Sequence, residues 1–188
     1  MSETLEAGPQ TTSAPHLPPP HRHAGTTRLL HWLIAALVLM TWPLGIVIQF
    51  VKSDVALNFY ILHESLGFLV LWLMLVRVGN KLTAQKPPAE GPFLERMAAS
   101  AVHGLLYAFL IIMPLSGFLA TNAHGFPLKW FGVLTVWSPI GKSPDIAWTL
   151  SAIHEWSAWI LLGLFILHFG AVIFHHVIKR DTTLYRIV

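Results

Sequence analysis

Four long apolar segments, a near absence of charge within them and a shortage of charged residues overall predict an all-α integral membrane protein, a four-transmembrane-helix bundle. Only 11% of the 188 residues are charged while 54% are hydrophobic, and the mean hydropathy is +0.60. A soluble domain carries about 25% charged residues, so the solvent for most of this surface is hydrocarbon. Leu29–Val51 and Met97–Ala120 contain no Asp, Glu, Lys or Arg; Phe59–Val76 contains only Glu64 and Ile153–Ile178 only Glu155. Each is close to the roughly 20 residues that a helix needs to cross a bilayer. With no water to satisfy the backbone, each must bond internally as a helix.

The elements follow in order. Residues 1–24, rich in Pro, Thr and Ser, read as a disordered Pro-rich tail, without the apolar core and cleavage pattern of a secretory signal. Residues 25–188 form one membrane domain. Pro43 and Pro114 fall inside spans, where a bundle tolerates them as kinks. Arg22, Arg28, Arg77, Lys81, Lys86, Arg96, Lys179, Arg180 and Arg186 gather on the side of the two termini and the 76–97 connection. Only Lys52, Lys129 and Lys142 lie on the other side. That asymmetry predicts cytoplasmic N and C termini, with the protein in a membrane that borders the cytoplasm. In the 121–145 connection, "LKWFGVLTVW" is too short to cross and is expected at the interface, where Trp is at home.

Composition also excludes chemistry. There is no cysteine, hence no disulfide, thiolate metal site, iron–sulfur cluster or covalent c-type haem attachment. No Gly-rich phosphate loop follows a strand pattern. The net charge of +3 comes without a nucleic-acid motif, so no nucleic-acid partner is expected.

Histidine is the abundant ligand that remains. At 100° per residue, His154 and His168 project from nearly one face of the fourth span, roughly 21 Å apart along its axis. That spacing describes two sites at two depths, suited to two flat macrocycles. Each site needs a second ligand from another helix. His63 opens the second span at the outer end and pairs naturally with His154. For His168, at the inner end, His31 of the first span and His103 of the third are rivals. His31 pairs only if the fourth helix protrudes or the first begins before Leu29. Bis-imidazole coordination leaves an iron no open position, which suits electron transfer rather than oxygen binding. An ionisable residue inside a bilayer is costly and is a functional signal by default.

Other residues carry weaker signals. Gly67, Gly104, Gly117 and Gly163 lie near these histidines, with helix packing as the ordinary reading. Glu64 and Glu155, each directly after an outer histidine, read as snorkelling carboxylates or else as a proton or cation site. Trp42 and Trp72 read as packing or belt residues. His175 sits at the inner interface, at a depth where a quinone head group needs a hydrogen-bond donor; an interfacial histidine without a ligand is the alternative. Arg28 is a plausible partner for a haem propionate.

"TTRLLHW", "LHESLG", "VHGLLYAFLIIMPLSGF", "IHEW" and "LHFGAVIFHHVIKRDTTLYRI", in this order over residues 25–188, resemble the bacterial cytochrome b561 family. The resemblance implies two b-type haems, one held by His31 and His168, the other by His63 and His154. Similar members oxidise superoxide at the outer face and reduce ubiquinone near the inner face, and His175 matches a position associated with the quinone. The implied activity is a superoxide:quinone oxidoreductase, with Lys52, Lys129 or Lys142 attracting the anion and protons arriving through His103 or His175. Two other readings compete. One is a cytochrome b subunit relaying electrons between a partner dehydrogenase or hydrogenase and quinone. The other is a His/Glu-based metal or proton transporter, which predicts no haem.

Overall fold

The computed structural model describes residues 22–51, 53–84, 88 and 91–188, with the backbone alone at Ser53 and Asp54. The expected tail up to position 21, Lys52 and Lys86 lie outside the described residues. Among the described residues there are four long helices: α1 (Gly25–Val47), α2 (Ser53–Thr83), α3 (Phe93–Ala123) and α4 (Pro144–Ile173). All four are long and apolar enough to cross a membrane. α2 and α3 cover and overrun their expected segments, whereas α1 ends at Val47 and α4, which opens early at Pro144, gives way after Ile173. α1 starts before Leu29, and α2 continues past Val76, so Arg77 and Lys81 are helical residues rather than part of a loop.

The boundaries follow local chemistry. Pro144 opens α4, where its missing N–H costs nothing, and Asp145 complements the helix dipole in the first turn. Pro92 precedes α3, with Glu95 in its first turn. The end of α4 departs from expectation: Phe174–Lys179 is a π-helical turn. Arg180 then stops it in the left-handed region at φ 54°.

The closely packed helix pairs are α3 with α4, α1 with α2 and α2 with α3. Ile34, Leu37, Leu66, Val70 and Met74 form a buried core, against which Tyr107, Leu110 and Ile111 of α3 pack. Outside it, large apolar side chains such as Leu39, Trp72, Ile166 and Leu167 are more than half exposed. Such a belt is stable only in hydrocarbon, where close van der Waals packing rather than water exclusion holds helices together.

One end of the bundle, the termini end, gathers the start of α1 and the C-terminal residues. The His23 N–H donates to Arg186 O at 3.0 Å, Trp32 Nε1 to Ile187 O at 3.0 Å, and Asn80 Nδ2 to Thr27 Oγ1 at 2.8 Å. Burial pushes the His23 imidazole below its usual range, and the neighbouring Arg186 and Arg77 add to this. The opposite end carries an element that was not foreseen. Part of "LKWFGVLTVW" is an antiparallel hairpin of β1 (Lys129–Trp130) and β2 (Leu134–Thr135), turned through Phe131 at φ 47° and Gly132 at φ 74°. The hairpin is fastened to α2. Phe131 N–H donates to Ser65 Oγ at 2.7 Å and Trp130 Nε1 to Ser65 O at 3.3 Å.

Candidate functional site

At the hairpin end, His63 of α2 and His154 of α4 face each other with ring centres 6.0 Å apart and planes at 89°. Each ring is fixed by a neighbouring helix in the same way. His63 Nδ1 donates to Thr41 O at 3.0 Å, and His154 Nδ1 to Met113 O at 2.7 Å. Four residues beyond each carbonyl stands a glycine, Gly45 or Gly117. A carbonyl has a second lone pair to offer, but a side chain four residues on would cover it. A Cβ at Gly45 would lie 2.9 Å from His63 Cε1, and one at Gly117 would lie 2.7 Å from His154 Nδ1. Here glycine is required for close approach. Because a carbonyl can only accept, both rings carry the proton on Nδ1 and keep the Nε2 lone pair for a metal. Beside this pair, the Glu64 carboxylate accepts from Thr121 Oγ1 at 2.9 Å and ties α2 to α3.

At the termini end, His31 of α1 and His168 of α4 have ring centres 6.2 Å apart at 70°. The early start of α1, at Gly25, removes the depth mismatch between them. His103 of α3 is nearer to His168, 5.2 Å centre to centre, but is exposed. The support differs from the other end. Arg77 Nη2 donates to His31 Nδ1 at 3.1 Å, and Arg77 Nε donates to Tyr107 Oη at 2.9 Å. Lys81 Nζ sits 4.1 Å over the Tyr107 ring, a cation–π contact. Neither Arg77 nor Lys81 pairs with a carboxylate among the described residues. Arg28, one turn before His31, makes no side-chain hydrogen bond or ion pair among them either.

His175, beyond the inner pair, lies in the π-helical turn. Its Nδ1 is 2.5 Å from Asp181 Oδ2, and Thr183 Oγ1 is 3.3 Å from the same nitrogen. The other candidates fall elsewhere. Glu155 is exposed, as are Lys129 and Lys142. A Cβ at Gly104 or Gly163 would meet no atom within 4 Å, so these two glycines are not helix-packing contacts. Trp42 Nε1 donates to Ala158 O at 3.3 Å, in keeping with a packing role.

Several contributors escaped the sequence reading. Gly45, Thr41 and Met113 act through backbone, which no side-chain motif announces. The "PLG" and "PLSG" runs after Pro43 and Pro114 were the available signal. Arg77 reads by its charge as part of the 76–97 connection, and Asp181 carries no signal of its own within "LHFGAVIFHHVIKRDTTLYRI".

A metal gripped by two imidazoles on opposite sides lies ~2 Å from each nitrogen, which sets the ring centres about 6 Å apart. The His63–His154 and His31–His168 separations match that span; 5.2 Å for His103–His168 is short of it. With free Nε2 atoms at the hairpin end, the residues present fit a bis-imidazole cofactor. Fold and side chains thus define a membrane-spanning helical bundle of the haem-binding, electron-transferring class.

The comparisons narrow the class. The model of the prokaryotic cytochrome b561 family matches residues 22–188. The chain is 31% identical to cytochrome b561 homolog 2 of Escherichia coli over 183 residues, covering 90% of this chain and 92% of the relative. It is 26% identical to the protein named "Probable superoxide oxidase CybB" of Yersinia pestis, covering 85% and 91%. It is 28% identical to cytochrome b562 of Cereibacter sphaeroides, covering 87% and 95%. The chain belongs to the prokaryotic cytochrome b561 family. It is a membrane electron-transfer protein of four spans, and the family's cofactor is b-type haem.

Proposed function

We propose that the chain is a di-haem cytochrome b that oxidises superoxide at the hairpin end and reduces ubiquinone at the termini end, with both termini in the bacterial cytoplasm. The observation that carries this reading is the use of α4 twice: His154 and His168, fourteen residues apart, each face an imidazole from another helix across about 6 Å. His63 and His154 hold the outer haem, and His31 and His168 the inner one. Held by these imidazoles, haem would supply a one-electron iron couple suited to electron passage rather than ligand binding.

The chain's own residues do the rest. Thr41 and Met113 carbonyls orient the outer imidazoles and raise their basicity. The basic residues gathered at the termini end support a cytoplasmic placement. Exposed Lys129 and Lys142 give the hairpin end cations for an incoming anion; Lys52, named for the same role, lies outside the described residues. Arg28 and Arg77 are cations beside His31 suited to propionates. His175 presents a polar group to a quinone at the inner interface, and the exposed His103 is the companion group for proton delivery.

A reduced-minus-oxidised visible spectrum of the purified protein, followed by stopped-flow superoxide decay with and without a short-chain ubiquinone, tests this. Two haems per chain and quinone-dependent decay are expected. Decay that ignores quinone sinks the oxidase reading. A second reading, a relay subunit for a partner enzyme, draws on the exposed Val133, Leu134 and Trp137 around the hairpin. Co-purification of a redox partner, with no superoxide decay by the chain alone, would favour it. The transporter reading finds no support in a family of haem cytochromes.

A further inference from the structure

The C-terminal turn is folded around one side chain. The π-helical turn Phe174–Lys179 ends at Arg180 in the left-handed conformation, a region costly for a residue with a Cβ. The reversal brings Asp181 back on residue 175 twice. Its backbone N–H donates to His175 O at 3.1 Å, and its Oδ2 meets His175 Nδ1 at 2.5 Å. The other carboxylate oxygen, Oδ1, accepts the Thr183 N–H at 2.9 Å, which fixes the carboxylate plane. π-turns inside helices cluster at functional positions, and here the widened turn serves a contact between two ionisable groups.

Neighbouring charges leave that contact intact. Lys179 Nζ binds Glu95 of α3 at 2.7 and 3.0 Å and stands 4.0 Å from Asp181 Oδ2. Glu95 thus balances Lys179, and Asp181 keeps its charge for the imidazole. Tyr185 lies 6.0 Å from the next ring, His176, and brings no charge. The His175 and Asp181 side chains are 20% and 34% exposed, sheltered enough for the pair to matter and open enough to exchange protons with water. Burial raises the Asp181 pKa, but the hydrogen bonds from His175 and Thr183 outweigh it and hold the carboxyl at about 2.

We propose that Asp181 is a positioning residue for proton delivery: it fixes the His175 proton on Nδ1 and stabilises the imidazolium, so that Nε2–H is the bond that breaks when a proton passes to a reduced quinone oxygen. This rests on the quinone reading of His175 given above. The balance closes. Quinone takes two electrons from two superoxide ions, releasing two O₂, and two protons to become quinol. His175 Nε2 passes one proton at a time and is recharged from water at the termini end. Without the carboxylate, Nδ1 keeps only the Thr183 hydroxyl, which can donate or accept, so the choice of protonated nitrogen is no longer fixed.

The test uses the haem-loaded protein in nanodiscs. Histidine-selective NMR reports which nitrogen carries the proton in the ring that disappears in His175→Gln. A second readout is the reoxidation rate of the reduced protein by a short-chain ubiquinone between pH 5.5 and 9. Asp181→Asn is expected to remove the fixed Nδ1–H of that ring. It should slow reoxidation about tenfold at pH 8 and little at pH 5.5, with the visible spectrum unchanged. Asp181→Glu should restore most of the rate. A purely structural role would slow all pH values alike and leave the proton on the same nitrogen; either result overturns the proposal. If Asp181→Asn loses pigment, Asp181→Glu and Thr183→Val carry the same readout. Two failures remain distinguishable. If His175→Gln reoxidises at the wild-type rate, the quinone reading of His175 falls. If it slows while Asp181→Asn keeps the wild-type profile, only the dyad falls.

Discussion

The two histidine pairs share a helix and a spacing between rings, yet they are held by different means. At the hairpin end the backbone does the holding: two carbonyls, each exposed by a glycine four residues on, accept from His63 and His154. At the termini end side chains do it, and with the opposite polarity. Arg77 donates to His31 Nδ1, so that ring carries its proton on Nε2, the nitrogen the outer rings keep free. On the proposed ligand assignment, the outer pair is therefore set for metal before any metal arrives, whereas the inner one must move the Arg77 guanidinium aside or shift a proton. Rigid backbone makes a fixed site, and a long cation makes an adjustable one.

The largest effect that would break this contrast is steric. Gly117→Ala places a Cβ 2.7 Å from His154 Nδ1. Overpacking costs about 1–3 kcal/mol, and the displaced ring also gives up its bond to Met113 O. Haem per chain should fall by about half through loss of the outer site, read by pyridine haemochrome assay. Gly79→Ala, which meets nothing within 4 Å, should keep full content. Equal pigment in both proteins would end the claim that the backbone presets the outer pair.

Next in size is an electrostatic effect. Arg77→Gln removes a cation beside His31 and should move the inner midpoint potential negative by on the order of tens of millivolts. The outer potential should stay in place in a spectroelectrochemical titration. Both potentials moving together would mean that the two ends are not independently held.

Smaller again is the hairpin anchor. Ser65→Ala deletes the acceptor for Phe131 N–H, worth about 1 kcal/mol. Hydrogen exchange at Phe131 should quicken roughly fivefold, while exchange in α4 stays slow.

The smallest effect lies outside the membrane. Asp181 is held at about 2, below its ordinary 3.8. The folded state prefers the charged form, so its contribution is complete above about pH 4 and is lost as pH falls toward 2. Proteolysis of residues 181–188 should therefore rise steeply below about pH 3. A rise near pH 6 would point to His23 instead. That ring is held neutral, and its contribution is lost as pH falls below its ordinary 6.5.

The four spans were legible because hydrocarbon imposes length and composition together. The histidine spacing on α4 was legible because helical rotation is arithmetic. The helix overruns were not. Charged residues such as Arg77 and Lys81 mark the edge of the hydrocarbon, whereas the helix itself continues into the interface. The hairpin was hidden because two-residue strands leave no alternation to read; their stability comes from Ser65, far away in sequence. The supporting carbonyls were hidden because every residue has one, and only the tertiary fold decides which are reached.

One ring of each pair stands on α4, the last of the four helices to leave the ribosome. Neither grip exists while the first three are being inserted, and chains cut short before Ser143 have no partner for His63 or His31. On the proposed ligand assignment, cofactor capture is thereby deferred until α4 has emerged, and the colour of the protein becomes a proofreading mark for a bundle that has received its fourth helix.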